Sequence, residues 1–353
     1  MAYKKQAIIL LSYVTLLFTS CSKSQSEKKV FSVTNSNAAA ERRSAAKKEL
    51  TYEIKLGFST NIEDPRGQAS LLFKKEVEER TEGRIQIFIY PDGKLGSDSE
   101  LIEGVMNGTV DMTVSSAGNF AVYATKLGIS AMPFLFSDFD SAWRFMDSAL
   151  IHSVNDTLLE YNTVVLSQFD NGFRCVTTTY RPVRNINDMK GLNIRTPPNQ
   201  IIMETMSVLG ANPKPYAFNE LKEALRNGLF DSQENPIPII YNSALYEEQK
   251  YLSITNHSYD AMPFVIRKDL WDQFSIEDRS RMIIAARIAQ NEDRRIVREQ
   301  TETYVSKLKE KGMVVITPDL KPFIQATSGV IDTFSAVYGQ ELVEEFKEFI
   351  ENK

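Results

Sequence analysis

Residues 53–93 read EIKLGFSTNIEDPRGQASLLFKKEVEERTEGRIQIFIYPDG, and this stretch decides the fold class. Residues 53–58 alternate polar and apolar side chains, as a half-buried strand does. Residues 68–81 predict a helix that ends at Gly83, and residues 84–90 predict a second strand closed by the turn at 91–93. Strand, helix and strand in this order are typical of a parallel βαβ unit.

The alternation of strands and helices continues along the rest of the chain. Ser97 and Glu100 have the spacing of a capping box before a predicted helix at 100–107, which Gly108 ends. Further strands are predicted at 110–115, 163–168, 173–179, 193–196, 229–231, 251–255, 261–266 and 314–316, and further helices at 141–146, 150–161, 200–209, 220–226 (capped by Asn219), 237–248 and 320–347. Residues 276–311 contain no Pro or Gly and predict one helix too long for a single ordinary domain, so we expect it to cross two lobes. The pattern predicts an α/β fold with largely parallel sheets.

The N-terminus predicts export. Lys4 and Lys5 precede an apolar run at 7–18, which is too short to span a bilayer as a mature helix, and small residues lead to Cys21. The tetrapeptide at 18–21 resembles a lipobox, so residues 1–21 are interpreted as a lipoprotein signal peptide with lipidation at Cys21. A plain secretory signal is the alternative. Residues 22–49 are polar and predict a flexible tether, which leaves the folded body anchored to a membrane on its extracytoplasmic side.

Composition narrows the function. The net charge is −5 without a basic stripe, which argues against nucleic acid as a partner. The two histidines are far apart, which argues against a histidine-based zinc site. Catalytic motifs and phosphate-binding loops are absent from the sequence, so we expect no metal and no cofactor. Cys175 is the only cysteine in the predicted body, so no intramolecular disulfide is expected there. An enzyme that uses Cys175 as its nucleophile and His257 as its base is an alternative.

Two arginines and an asparagine suggest a clamp for a carboxylic acid. Arg174 and Arg195 lie in or end strand-like runs, and Asn235 follows the predicted strand at 229–231. A guanidinium is planar and always charged, so its paired N–H groups fit a carboxylate. Ligands of open α/β sheets bind beyond the carboxyl ends of strands, where these residues are expected. Ordinary surface ion pairs are the alternative for either arginine, and helix capping is the alternative for Asn235.

Other polar positions follow predicted strands and are candidates for the same cleft. Each has a structural alternative: Asp98 suits a helix dipole, Phe218 suits a core, and His257 suits an internal hydrogen bond. Ser97 is interpreted as a helix cap rather than a ligand. The remaining candidates are Ser59 and Ser116.

Several ordered segments resemble the substrate-binding proteins of tripartite ATP-independent periplasmic (TRAP) transporters, of the DctP type. The resemblance covers about residues 55–318. It rests on segments at 91–96, 108–112, 132–136, 170–174, 188–195, 209–213, 231–236 and 246–257. Ser232 replaces the usual glycine before Gln-Glu-Asn, and Ser99 stands where charged residues are common, which blurs the identity of the substrate.

The resemblance implies a two-lobed, periplasmic-binding-protein-like fold of type II, with two mixed, mainly parallel sheets flanked by helices. The expected lobes are residues 51–172 with 261–300 and residues 173–260 with 301–330, followed by a C-terminal helix at 331–353. It also implies that Arg195 forms the main salt bridge to the substrate carboxylate, that Arg174 adds a second contact and that Asn235 orients the acid. Ser59, Asp98, Ser116, Phe218 and His257 are expected to line the cleft.

The implied function is capture of an organic acid and its delivery to the small and large membrane subunits of a permease. Because Asp98 would repel a second carboxylate and accept hydroxyl groups, a sugar acid such as a uronate is favoured over a dicarboxylate. The alternative functions are a ligand-sensing lipoprotein that presents its ligand-bound form to a receptor, and an enzyme acting on sugar acids.

Overall fold

The computed structural model describes residues 51–351, so the predicted signal peptide, Cys21 and the predicted tether lie outside the described residues. Among those described, none of the helices combines the length and the apolar character needed to cross a bilayer.

The N-terminal part forms the predicted βαβαβ layer. Strands β1 (Tyr52–Gly57), β2 (Ile85–Tyr90) and β3 (Met112–Val114) alternate with helices α1 (Pro65–Arg80) and α2 (Asp98–Asn107). Strand β1 pairs in parallel with both β2 and β3. The predicted capping box is confirmed, because the Ser97 side chain accepts from the Glu100 amide and the Glu100 side chain accepts from the Ser97 amide. Gly108 ends α2 with a φ of 84°, a conformation that favours glycine.

Short helical segments connect this layer to two long strands. They are α3 (Ala117–Phe120), a 3₁₀ turn (Thr125–Ala131), α4 (Phe139–Met146), α5 (Ala149–Asn155) and a second 3₁₀ turn (Asp156–Tyr161).

The long strands are β4 (Thr163–Thr178) and β8 (Tyr251–Arg267), which pair antiparallel. The sequence predicted two short strands in place of each. The ladder instead continues through the turn-like segment at 170–172, because register shifts at three points absorb the irregular residues. Gly172 has a φ of 99° at one of these points.

The segment between the long strands forms a second layer. Its elements are a 3₁₀ turn (Ile186–Met189), β5 (Asn193–Thr196), α6 (Gln200–Val208), β6 (Asn212–Pro215), a 3₁₀ turn (Phe218–Glu220), α7 (Leu221–Arg226), β7 (Ser232–Pro236), α8 (Ile237–Asn242) and a 3₁₀ turn (Leu245–Glu247). The strand predicted at 229–231 is therefore wrong in position. Asn219 does not cap α7, because it lies inside the 3₁₀ turn and Glu220 occupies the N-cap. Strand β6 was not predicted, since two of its four residues are prolines.

The sheet order is β2-β1-β3-β8-β4-β7-β5-β6, and β9 (Val314–Ile316) pairs with β8. The two predicted sheets are thus joined into one hydrogen-bonded path, because β4 and β8 run through both. Pairings around β1 and β5 are parallel, whereas β8 pairs antiparallel with β3 and β4, and β4 pairs antiparallel with β7.

The predicted long helix is confirmed as α10 (Ile276–Glu310), which follows α9 (Lys268–Trp271). It contacts both layers: Asp278 accepts from Arg84 near β2, and the Tyr304 ring lies 4.3 Å from that of Tyr241 in α8. The C-terminal region predicted as one helix is three, α11 (Lys321–Thr327), α12 (Val330–Tyr338) and α13 (Gln340–Glu351), separated near Gly329 and Gly339.

Apolar side chains are buried in four clusters among the described residues. One packs α1 and α10 against the first layer around Phe73 and Phe264. A second joins α4 and α5 to the C-terminal helices through Phe145 and Phe346. Two more lie on the second layer. The exact lobe boundaries stay a prediction.

Candidate functional site

A cavity of about 260 Å³ lies between two groups of elements. One side is formed by the loops that follow β1, β2 and β3, and the other by the carboxyl ends of β5 and β7. Both layers contribute to its wall. Seven of the eight predicted site residues line it: Ser59, Asp98, Ser116, Arg174, Arg195, Phe218 and Asn235.

Arg195 is a buried cation that has no acidic partner among the described residues. It lies in β5, only 3% exposed, and its Nε and Nη2 donate to the carbonyl oxygen of Tyr216 at 2.9 and 2.6 Å. Within residues 51–351, no carboxylate forms a salt bridge with it, and its Nη1 donates to none of these residues. Burial lowers the pKa of Arg195 to about 10, because water no longer stabilises the charge. An anion entering the cavity would supply the missing partner.

Arg174, in contrast, is already neutralised. Its Nε and Nη2 bind the Glu234 carboxylate, its Nη1 binds Asp260, and Nη2 also donates to the Asn235 side chain at 3.2 Å. Burial alone would lower the pKa of Arg174, but the two carboxylates raise it above its ordinary value. Arg174 lines the cavity with every side-chain nitrogen engaged.

Asn235 lies inside β7 rather than after a strand, because the ladder with β4 continues through it. Its Nδ2 donates to Gln233 at 2.6 Å and its Oδ1 accepts from Arg174. The amide is therefore held in one orientation at the wall of the cavity. Phe218 completes this side, with its ring centre 5.9 Å from the Arg195 guanidinium carbon.

Asp98 is the acidic group on the opposite wall. Its two carboxylate oxygens accept from the hydroxyls of Ser59 and Ser115, each at 2.9 Å, and Asn119 in turn donates to Ser115 at 3.0 Å. Asp98 is also the first residue of α2, where its negative charge interacts favourably with the helix dipole. The same carboxylate lines the cavity. Ser97 caps the helix, as expected, and also borders the cavity.

His257 is the predicted site residue that does not line the cavity. The structure places it in β8, fully buried, with Nε2 at 3.2 Å from Glu234 and Nδ1 at 2.8 Å from the Thr255 hydroxyl. It therefore lies behind Glu234 and not on the wall, because its strand, β8, lies in the sheet on the side of β4 opposite to β7. Here His257 supports the carboxylate that neutralises Arg174.

Sequence reasoning missed Arg66, Asn119 and Asn171, which also line the cavity. One signal for Arg66 was available: it follows Pro65 in the first turn of α1, where a cation opposes the helix dipole. A cation at this position is unfavourable for the helix alone, so its charge has to be stabilised by groups elsewhere in the fold.

Cys175 does not have the features of a nucleophile. It is fully buried, and burial raises the pKa of its thiol to about 11. Its sulfur lies 3.1 Å from the side-chain oxygen of Asn256, while His257 is occupied by Thr255 and Glu234. The thiol is protonated at neutral pH, so the enzyme alternative loses its proposed reactive group.

Residues 57–336 match the family model for bacterial extracellular solute-binding proteins, family 7, called DctP. This chain belongs to that family. The predicted resemblance is thereby confirmed. Among curated relatives, the 2,3-diketo-L-gulonate-binding periplasmic protein YiaO of Escherichia coli is 34% identical over 77% of this chain and 84% of its own length.

Solved structures of family members confirm the two-lobed α/β fold. A TRAP periplasmic solute-binding protein from Polaromonas, bound to D-erythronate, has a TM-score of 0.82 and 31% identity, covering 84% of this chain and 98% of its own. The sugar acid binding protein DctPAm from Advenella mimigardefordensis, in complex with galactonate, has a TM-score of 0.83 and 27% identity, covering 86% and 99%. This family 7 protein is thus related to substrate-binding components of transporters, and both YiaO and the Polaromonas protein are periplasmic.

Proposed function

We propose that this family 7 protein captures a hydroxylated monocarboxylate, a sugar acid such as a uronate, and delivers it to the permease of a TRAP transporter. The observation that carries the proposal is Arg195. Its buried guanidinium has no acidic partner in the part of the chain that the structure describes, which is costly, and the charge becomes favourable when a carboxylate binds it.

The charges around the cavity favour one carboxylate per ligand. Arg174 already binds two acids, Glu234 and Asp260, whereas Arg195 binds none among the described residues. Asp98 faces the cavity from the other side with its own negative charge. A second carboxylate near Asp98 would be repelled, while ligand hydroxyls can donate to it.

Two further observations support a compact sugar acid. The volume of about 260 Å³ is near the lower end of ligand cavities, which run from about 300 to 1,000 Å³. The related solved structures hold D-erythronate and galactonate, both hydroxylated monocarboxylates.

Delivery follows from closure of the two lobes over the ligand, which changes the outer surface that the two permease subunits would recognise. Lipidation at Cys21, which lies outside the described residues, would hold the protein at the membrane on its extracytoplasmic side. This part of the proposal rests on the N-terminal sequence alone.

A thermal-shift screen of the full chain tests the proposal, because a ligand that binds the folded state raises the melting temperature. We expect D-erythronate, D-galactonate or D-glucuronate to stabilise the protein and succinate to have little effect. Calorimetry on the hits gives Kd and stoichiometry. Stabilisation by dicarboxylates alone would contradict the proposal.

A further inference from the structure

Three arginines of the described residues line the cavity, and they differ in how many side-chain donor groups are not engaged in hydrogen bonds. Arg174 has all three side-chain nitrogens engaged. Arg195 uses Nε and Nη2 on a carbonyl and keeps Nη1. Arg66 also uses only Nε and Nη2, so among the described residues Arg66 and Arg195 are the cavity arginines with a donor group to spare.

The backbone around Arg66 is tightly fixed. Asp64 caps α1 and accepts from both the amide and the Nε of Arg66, each at 3.2 Å. Gly67 permits this geometry, because a Cβ at that position would lie 2.5 Å from the carbonyl oxygen of Ile62. The start of the helix therefore holds Arg66 in place.

The guanidinium is fixed as well. Nη2 donates to the Asn171 side chain at 3.1 Å, and Arg66 is only 4% exposed. Two anchored nitrogens leave the planar group little freedom to rotate. The remaining Nη1 is a preorganised donor, which costs little entropy when a ligand binds.

The charge of Arg66 is compensated, unlike that of Arg195. Asp64 forms a buried salt bridge with it at 3.2 Å. A second carboxylate is therefore not needed here, and a neutral oxygen of the ligand is the fitting partner. Charge-assisted hydrogen bonds of this kind are stronger than neutral ones.

We propose that Arg66 is a specificity-determining residue that donates from Nη1 to a hydroxyl, ring or carbonyl oxygen of the sugar acid whose carboxylate binds Arg195. This inference rests on the proposed function and adds a second recognition point on the other layer. Acids that lack an oxygen at that point would leave the donor unpaired and bind more weakly.

Calorimetry on the full chain tests this with the tightest-binding acid among D-erythronate, D-galactonate and D-glucuronate, together with its monodeoxy derivatives. For Arg66→Met, we expect the parent acid to bind roughly 10- to 100-fold more weakly. One monodeoxy derivative, the one lacking the oxygen that Arg66 binds, should have the same Kd for the variant and the wild type.

A merely structural role for Arg66 predicts a different result. If Arg66 only positions Asp64 and Asn171, the affinity for every ligand falls by one common factor, and that result would overturn the inference.

Arg66→Lys keeps the charge beside Asp64 and is the variant to use if Arg66→Met does not fold. A lysine cannot bind Asp64, Asn171 and the ligand together, so the ratio of the Kd of the monodeoxy derivative to that of the parent acid should decrease. Unchanged discrimination by Arg66→Lys would equally overturn the inference. Arg226→Met, at an exposed arginine that does not line the cavity, is the matched control. Failure of the wild type to bind any of the three acids would contradict the proposed function instead.

Discussion

Replacing Arg195 by methionine should abolish tight ligand binding without destabilising the empty protein. Methionine keeps an apolar stem against Phe218 but removes the only guanidinium of the cavity wall that, among the described residues, lacks a carboxylate. The ligand carboxylate would then enter a buried site without a partner.

The magnitude follows from the burial of the pair. Arg195 is 3% exposed, so water cannot replace it in the closed cavity. Removing one partner of a buried ion pair costs about 3 to 5 kcal/mol, which corresponds to a loss of affinity of roughly a hundred- to several-thousand-fold. Arg195→Lys should be intermediate, because an ammonium keeps the charge but lacks the planar fork.

The empty protein should respond in the opposite way. Burial already lowers the pKa of Arg195, which means that its charge is poorly solvated when no ligand is present. Its removal forfeits the hydrogen bonds to the Tyr216 carbonyl, about 1 kcal/mol each, and relieves the buried charge. We therefore expect little change, or a rise, in the melting temperature without ligand.

Calorimetry with the screened acid and thermal unfolding with and without it measure both effects. Arg226→Met, at an exposed and ion-paired arginine, controls for the substitution itself. Wild-type affinity in Arg195→Met, with a ligand-induced stabilisation of normal size, would refute the assigned role. A large loss of stability without ligand would show that Arg195 is structural.

Three other perturbations have defined outcomes. Asp98→Asn should weaken hydroxylated acids about tenfold and bring succinate closer to them, measured as the ratio of the two Kd values; an unchanged ratio would count against repulsion by Asp98. Gly118→Ala would place a Cβ 1.8 Å from the side-chain nitrogen of Asn199 on the other layer, so closure should be impeded; we expect weaker ligand binding and a larger radius of gyration in scattering with ligand present, and normal values of both would contradict this. Burial raises the pKa of Asp170 to about 6, so the folded state binds this proton more tightly than the unfolded state, and the group's contribution to stability is present below about pH 4 and is lost as the pH rises to about 6. The change amounts to about 3 kcal/mol. Asp170→Asn should reduce the dependence of the unfolding free energy on pH, measured by chemical unfolding from pH 4 to 7. Part of that dependence should remain, because burial also raises the pKa of Asp293.

Local signals in the sequence predicted local structure well. The spacing of Ser97 and Glu100 gave the start of α2, Gly108 gave its end, and the run without Pro or Gly gave α10. These features depend on residues within one or two helical turns, so the interacting residues are all close together in the sequence.

The long strands could not be predicted in this way. Asn171 and Gly172 are typical of a turn, yet they lie inside β4 because β8 supplies the pairing partners. The same applies to Asn235, whose place inside β7 is fixed by the ladder to Cys175 in β4. Pairing with a distant strand overrides local preference.

The site shows a similar division. Residue type and position predicted seven of the side chains at the cavity, because buried arginine and asparagine are rare without a polar purpose, but they missed Arg66, Asn119 and Asn171 and wrongly included His257. Their individual states depend on partners far along the chain: Arg174 binds Asp260, which is 86 residues away, and Arg66 binds Asn171, which is 105 residues away. Unless those distant partners are known, the sequence does not distinguish Arg174, whose side-chain nitrogens are all engaged, from Arg66, which has a donor group available to a ligand.

These distant contacts join the ligand cavity to the strands that connect the lobes. Asn171 accepts from Arg66 and donates at 2.7 Å to Asp260, which in turn binds Arg174. Asn171 precedes the irregular point at Gly172, so the connection crosses the place where β4 passes between the two layers. A side chain that moved with one layer alone would break one of these buried hydrogen bonds, which is costly in a low-dielectric interior. The network therefore favours one relative position of the layers, and in that position Arg195 and Asp98 line the same cavity.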